Sequence, residues 1–120
     1  MASILTVDDS VSVRQMVSFT LRRAGHEVIE AVDGKDGLDK AEQHKVDLII
    51  TDLNMPNMDG IQMISAIREL PEFAFTPILM LTTEAQPEKK EAGRKAGAMG
   101  WLVKPFNADQ LITVVRKLVK

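Results

Sequence analysis

Five short apolar runs, Ser3 to Val7, Glu27 to Ala31, Leu48 to Thr51, Ile78 to Leu81 and Trp101 to Val103, alternate along the chain with longer stretches of helical periodicity. Buried parallel strands read as continuous apolar runs, and each parallel crossover needs a helix, so the alternation predicts a parallel sheet covered on both faces. After the first run, Val13, Met16, Val17, Leu21 and Ala24 recur at helical spacing, and Arg22, Arg23 and then Gly25 stop the helix. A second helix, Gly34 to His44, rests on Leu38 and Ala41 behind an Asp33-Gly34 turn signal. The third starts at Asp59, which can cap it with Gln62 three residues on, and Ile61, Ile64, Ile67 and Leu70 form its inner stripe. Pro87 suits the first turn of a fourth helix ending near Gly97. That helix is mostly polar, with Ala92 and Ala96 as small inner contacts, so it is expected to pack thinly and to move. Asn107 and Gln110 make another capping box before Leu111, Val114, Val115 and Leu118 at i, i+3, i+4 and i+7. Right-handed crossovers and short connections leave a doubly wound open α/β sheet as the leading topology.

In such sheets ligands bind beyond the carboxyl ends of the strands, where the strand order reverses. The first strand runs into Asp8-Asp9, the third into Asp52, the fourth into Thr82-Thr83 and the fifth into Lys104-Pro105. Each has a plainer reading. Asp8 and Asp9 could complement a helix dipole, Asp52 could open a turn, Thr82 could fill space in a strand, and Lys104 could be solvated. The alignment of Asp8, Asp9, Asp52 and Lys104 at one end of one sheet favours chemistry for those four, while for Thr82 alone the plainer strand reading stands. Three carboxylates in a crevice repel one another, so the site needs a raised carboxyl pKa or a cation. A hard divalent cation is the simpler solution, and Mg²⁺ accepts one or two carboxylates while keeping positions for water and phosphate oxygens. Lys104 and Thr82 supply a positive charge and a hydroxyl for the donor side of an anion pocket. Carboxylate nucleophile, metal, hydroxyl and lysine are the parts for phosphoryl transfer to an aspartate.

Composition narrows the field. The 120 residues, 45% hydrophobic and 27% charged, suit a single globular domain over 1–120 and fit neither a disordered nor a membrane chain. Fifteen Lys and Arg against seventeen Asp and Glu leave a net charge of −2, too little positive charge to hold nucleic acid by counterion release. The absence of Cys excludes disulfides, thiol nucleophiles, iron–sulfur clusters and thiolate zinc. His26 and His44 are isolated and read as surface residues without a role, so any metal must be held by oxygen. The beginning, Met1-Ala2-Ser3, lacks a leader's basic and apolar regions, and no apolar run approaches about 18 residues; a cytoplasmic location without membrane contact is expected. Lys89-Lys90 and Arg94-Lys95 read as a solvated helix face or as the colouring of a partner surface.

The motifs also stand in a specific order: Val7-Asp8-Asp9-Ser10, then Asp52 with Met55-Pro56 and Asp59-Gly60, then Thr82, then Lys104-Pro105-Phe106. Over its whole length the chain resembles the receiver domain of bacterial two-component response regulators, most closely the stand-alone, CheY-like chemotaxis members. The resemblance implies a flavodoxin-like sheet of five strands in the order 2-1-3-4-5 with five helices. It implies Asp52 as phosphoacceptor, Asp8 and Asp9 as the metal-holding pair, and the Asn54 backbone carbonyl as a further ligand of Mg²⁺. Thr82 would be the hydroxyl that moves to the phosphoryl group, and Lys104 the lysine that pairs with it across a cis Lys104-Pro105 peptide. Trp101 falls at the switch aromatic, usually Tyr, and its indole is larger and donates only through nitrogen. Asn54 and Glu84 occupy the positions that tune dephosphorylation, which implies a short-lived signal.

The implied molecule is a signalling switch that catalyses its own phosphorylation and dephosphorylation. A histidine kinase supplies the phosphoryl group, and the surface of the fourth helix, fifth strand and fifth helix changes its partner. The implied target is a flagellar motor switch protein, with a phosphatase as a further partner. Three rivals are weighed against this. A haloacid-dehalogenase-like phosphatase wants a second acid two residues after its nucleophile, where Asn54 stands. A dinucleotide- or flavin-binding domain wants a G-x-G-x-x-G turn where Asp8-Asp9-Ser10 stands. A receiver cut from a longer DNA-binding regulator would have its output domain outside these residues.

Overall fold

The computed structural model describes residues 2–83 and 85–119. Its elements run β1 (Ser3–Val7), α1 (Val11–Arg23), β2 (Glu27–Ala31), α2 (Gly34–Gln43), β3 (Leu48–Thr51), α3 (Gly60–Arg68), a 3-10 turn (Pro71–Phe73), β4 (Ile78–Thr82), α4 (Pro87–Ala96), β5 (Gly100–Val103) and α5 (Ala108–Leu118). All strand pairs are parallel, and the sheet order is β2-β1-β3-β4-β5. Among the described residues no helix is long and apolar enough to cross a membrane.

The runs of the central strands β1, β3 and β4 lack alternation because both their faces are buried, yet successive residues still point to opposite sides. Leu5, Ile49, Ile78 and Met80 face one core with Met63, Ile64 and Ile67 of α3 and Ala41 of α2. Ile4, Leu48, Ile50, Leu79 and Leu81 face the other, with Val17 and Leu21 of α1 and Leu111 and Val115 of α5. Each fully buried Leu or Ile contributes about 1.5–3 kcal/mol relative to exposure, so these strands and helix stripes carry most of the stabilisation.

The helix starts are chemically explicit. Ser10 accepts from the Val13 amide at 3.3 Å and Asp33 from the Asp36 amide at 2.8 Å. Both expected capping boxes are present, Asp59 with Gln62 and Asn107 with Gln110.

Several sequence expectations are corrected. Leu70 lies beyond α3 and opens the 3-10 turn, because Pro71 cannot continue the helix, yet it still packs against the expected core, where α3 also buries Met63. Ala92 is exposed; the inward residue of α4 is Gly93, where a Cβ would come within 2.9 Å of the Trp101 ring. With Gly93 its one buried residue, α4 does pack thinly. His26 is half-buried and has a structural job, its Nδ1 accepting the Ala2 amide at 3.1 Å. Burial accordingly holds its pKa below the usual imidazole value.

Gly60, at the start of α3, lies directly under the segment leaving β3. A Cβ there would fall 2.2 Å from the Asp52 carbonyl oxygen, and the Gly60 amide donates to Leu53 at 2.8 Å. Gly60→Ala is therefore expected to destabilise the fold by about 1–3 kcal/mol, the usual cost of overpacking, read as a lower urea midpoint. An unchanged midpoint would remove the claim that this contact is tight.

Candidate functional site

The strand order reverses between β1 and β3, and their last paired residues are Val7 and Thr51. The next residue of each strand therefore emerges beside the other. The Asp52 amide donates to Val7 at 3.0 Å, and the Asp8 amide donates to Ala31 at 3.2 Å, so both backbones leave the sheet still tied to it. Carboxylate oxygens of Asp8, Asp9 and Asp52 lie within 4.8 Å of one another.

Asp8 is almost fully buried, at 3% exposure. Its Oδ1 accepts the Ser10 amide at 2.9 Å, and its Oδ2 receives the Lys104 ammonium at 3.0 Å. Burial pushes its carboxyl above the usual value; the Ser10 amide and Lys104 oppose that shift, and the neighbouring Asp52 charge adds to it. Asp52 is half-buried, with Oδ1 accepting the Leu53 amide at 2.7 Å and Oδ2 at 3.4 Å from the Lys104 ammonium. Asp9 is exposed at the rim.

Lys104 reaches these acids from the end of β5. Its amide continues the ladder by donating to the Thr82 carbonyl at 2.9 Å, and the Lys104-Pro105 peptide is cis, as the resemblance implies. Thr82 closes β4 and is wholly buried. Trp101 is half-buried in β5 with its ring against Gly93 of α4. Asn54 is exposed two residues beyond Asp52, and among the described residues its carbonyl accepts no backbone hydrogen bond. The loop that carries it is held from the far side, where Asn57 adopts φ 69° and its Nδ2 donates to Asp33 Oδ2 at 2.7 Å. The Asp36 amide and that Asn57 amide together hold the Asp33 carboxyl below its usual range. Glu84 lies outside the described residues.

The site thus brings Asp8, Asp9, Asp52 and Lys104 together, with Thr82 and Asn54 on the segments beside them. Three carboxylates face one ammonium, so negative charge is in excess, and every free donor is a hard oxygen. That set fits a divalent cation with oxygen preference, with one side left open. One contributor was not read from the sequence. Arg14 of α1 donates from Nη1 to the Asp8 carbonyl at 2.7 Å and from Nε to Glu30 at 3.1 Å. The signal that could have found it is a cation within the first turns of a helix whose opening turn holds no acid, against the helix dipole.

The family model described as the response regulator receiver domain matches residues 4–116. The chain belongs to that family. A receiver domain is a phosphoaccepting signalling switch of a two-component system. The chemotaxis protein CheY4 of Vibrio cholerae is 52% identical with a TM-score of 0.95, each chain being covered over 98%. The alkaline phosphatase synthesis transcriptional regulatory protein PhoP of Bacillus subtilis is 36% identical over 98% of this chain and 48% of its own length. The chain spans about half the length of the curated relatives it matches, 48%, 50% and 56% of the first three. The receiver domain of sensor histidine kinase PA1611 from Pseudomonas aeruginosa, with magnesium coordinated in its active site cleft, is 28% identical with a TM-score of 0.91, over 98% of this chain and 97% of its own.

The Asp8 geometry sets a pH dependence. A carboxyl whose folded pKa is raised binds its proton more tightly in the folded state, so ionised Asp8 opposes folding and the penalty is relieved as pH falls through the raised value. In metal-free buffer at pH 7, Asp8→Asn is expected to have a higher urea midpoint than wild type. The gap should close as pH is lowered toward the ordinary value of 3.8. A gap that is absent, or that widens on acidification, contradicts the assignment of a desolvated Asp8.

Proposed function

We propose that this receiver is a phosphorylation-activated response regulator that accepts a phosphoryl group from a histidine kinase on Asp52 and answers by changing its protein partner. The observation that carries the reading is the convergence of three carboxylates and the Lys104 ammonium where the strand order reverses. Asp8, Asp9 and Asp52, with the Asn54 carbonyl, would hold Mg²⁺, the ion coordinated in the cleft of the PA1611 receiver. When bound, the ion supplies positive charge against the phosphoryl oxygens.

The chain's own residues do the rest. One Asp52 oxygen attacks phosphorus as the phosphorus–nitrogen bond of the donor's phosphohistidine breaks, and the imidazole leaves with the electron pair and takes up a proton. The Leu53 amide on Oδ1 orients the carboxylate for that attack. Lys104, already 3.4 Å from Asp52, follows the developing negative charge. The Thr82 hydroxyl, at the end of the adjacent strand, closes on the phosphoryl oxygens afterward. Asn54 and Glu84 set how quickly water removes the group. Thr82 and Trp101 then bias α4, β5 and α5 between two arrangements.

Chemotaxis is the output that the likeness to CheY4 supports, with a flagellar motor switch protein as target, a phosphatase as a further partner and the cytoplasm as location. The output is a change of protein partner and involves no direct nucleic-acid contact by this domain.

With Mg²⁺ and a small phosphoramidate donor, wild type is expected to gain one acid-stable, base-labile phosphoryl group by intact-mass spectrometry, and Asp52→Asn none. Chelating the metal should abolish the gain. Equal labelling of both proteins overturns the assignment.

Lys104→Ala should still be labelled but lose the response to the label. The response is read as tighter binding to a flagellar motor switch protein in fluorescence anisotropy. A fully responsive variant contradicts the role of Lys104, and a wild type whose affinity ignores phosphorylation contradicts the chemotaxis output.

A further inference from the structure

The three acids of the crevice are held very differently. Asp8 has the Ser10 amide and Lys104 on its two oxygens, and Asp52 has the Leu53 amide and Lys104. Among the described residues the Asp9 carboxylate has neither a hydrogen bond nor an ion pair. Where Asp9 points is consequently set by the backbone that carries it, above all by the peptide joining Asp8 to Asp9.

That peptide begins from a fixed point. The Asp8 amide is tied to the Ala31 carbonyl at 3.2 Å, and the Asp8 carbonyl accepts Arg14 Nη1 at 2.7 Å. The same guanidinium is braced from behind, its Nε donating to Glu30 Oε1 at 3.1 Å with the Arg14 side chain only 13% exposed. Glu30 belongs to β2 and is steadied in turn, because Arg22 stands 3.6 Å from Oε2 and Lys40 donates to its backbone carbonyl at 3.4 Å. The α1 dipole disfavours a cation near this end, and the opening turn holds no acid to offset it. What the position gains is the planar fork, which can grip a carbonyl and a carboxylate at once.

We propose that Arg14, braced by Glu30, is a positioning residue of the cation site, fixing the peptide that aims Asp9 at the ion shared by Asp8 and Asp52. The inference rests on the acidic crevice being a Mg²⁺ site. Arg14 touches neither the ion nor the phosphoryl group; it acts through the Asp8 carbonyl. Removing it frees the one carboxylate without a grip of its own and leaves Asp8 and Asp52 held as before. Its loss therefore weakens cation binding and spares the nucleophile.

The test is calorimetric titration of Mg²⁺ into the intact chain, for wild type, Arg14→Ala, Arg14→Lys, Glu30→Gln, Asp9→Asn and the double variant Asp9→Asn/Arg14→Ala. Wild type binds Mg²⁺. Arg14→Ala should weaken binding by about tenfold, the lower end of what outer-shell partners of metal ligands contribute. Arg14→Lys and Glu30→Gln should fall between, since the lysine keeps one contact and the glutamine loses the charge of the brace. In the Asp9→Asn background Arg14→Ala should cost nothing further, because the group it aims has gone. Labelling by the small donor should need more Mg²⁺ in Arg14→Ala yet regain the wild-type rate at saturation.

An unchanged Mg²⁺ affinity in folded Arg14→Ala, or an undiminished loss in the Asp9→Asn background, overturns the proposal. If Arg14→Ala does not fold, Glu30→Gln decides by the same reading, with unchanged affinity overturning it. A wild type that takes up no Mg²⁺ would instead remove the cation site itself, a result distinct from variants that match a binding wild type.

Discussion

Three like charges are held against one another at the point where a parallel sheet changes direction, and everything else in the molecule answers to that. Asp8 and Asp52 are the first residues beyond the paired ends of β1 and β3, so the separation of their backbones is set by strand spacing. Burial makes the situation more costly, since Asp8 has left water. The Lys104 ammonium relieves part of the repulsion, binding Asp8 at 3.0 Å and approaching Asp52 at 3.4 Å. One positive charge does not neutralise three negative ones. The remaining excess suits the crevice to a cation, and in the proposed function such an ion would also offset the charge of an incoming phosphoryl group.

The strands and the site were legible in the sequence for different reasons. The central strands showed because their two faces are both buried, leaving mostly apolar runs, and four of the five carboxyl ends then displayed polar residues. Asp59 with Gln62 and Asn107 with Gln110 were readable because a capping box is local, each partner lying three residues from the other. Arg14 was not readable by the same means. Its partners are a backbone carbonyl, which no side-chain pattern reports, and Glu30 on another strand, sixteen residues away. The inward residue of α4 was missed for a related reason. A small residue on a helix reads as a contact only when its neighbour is known, and here the neighbour is the Trp101 ring, which leaves room for Gly93 and would crowd a Cβ.

That ring and that helix connect the charged crevice to the outer surface. The indole lies in the middle of β5, three residues before Lys104, so the strand that carries the ammonium also carries the aromatic. Because α4 buries only Gly93, little apolar contact resists its displacement, in contrast to α3 with Met63, Ile64 and Ile67 in the core. A helix held so lightly is suited to having two arrangements of similar energy, the requirement for any element biased by a local change in charge.

The two ends of α4 are nonetheless unequal. At its C-terminal end Arg68 of α3 donates to the Gly97 carbonyl at 2.6 Å and to the Phe73 carbonyl, also at 2.6 Å, joining α3, the 3-10 turn and the helix end in one knot. Burial holds this guanidinium below its usual pKa, yet an arginine stays charged at any physiological pH, so a change of pH does not undo the knot. The N-terminal end follows β4, whose last residue is Thr82. In the proposed switch the displacement that Thr82 starts therefore reaches α4 at its N-terminal end and meets the Arg68 anchor at the other. A tilt about the Gly97 end costs less than a translation of the whole helix, because it leaves both Arg68 hydrogen bonds in place.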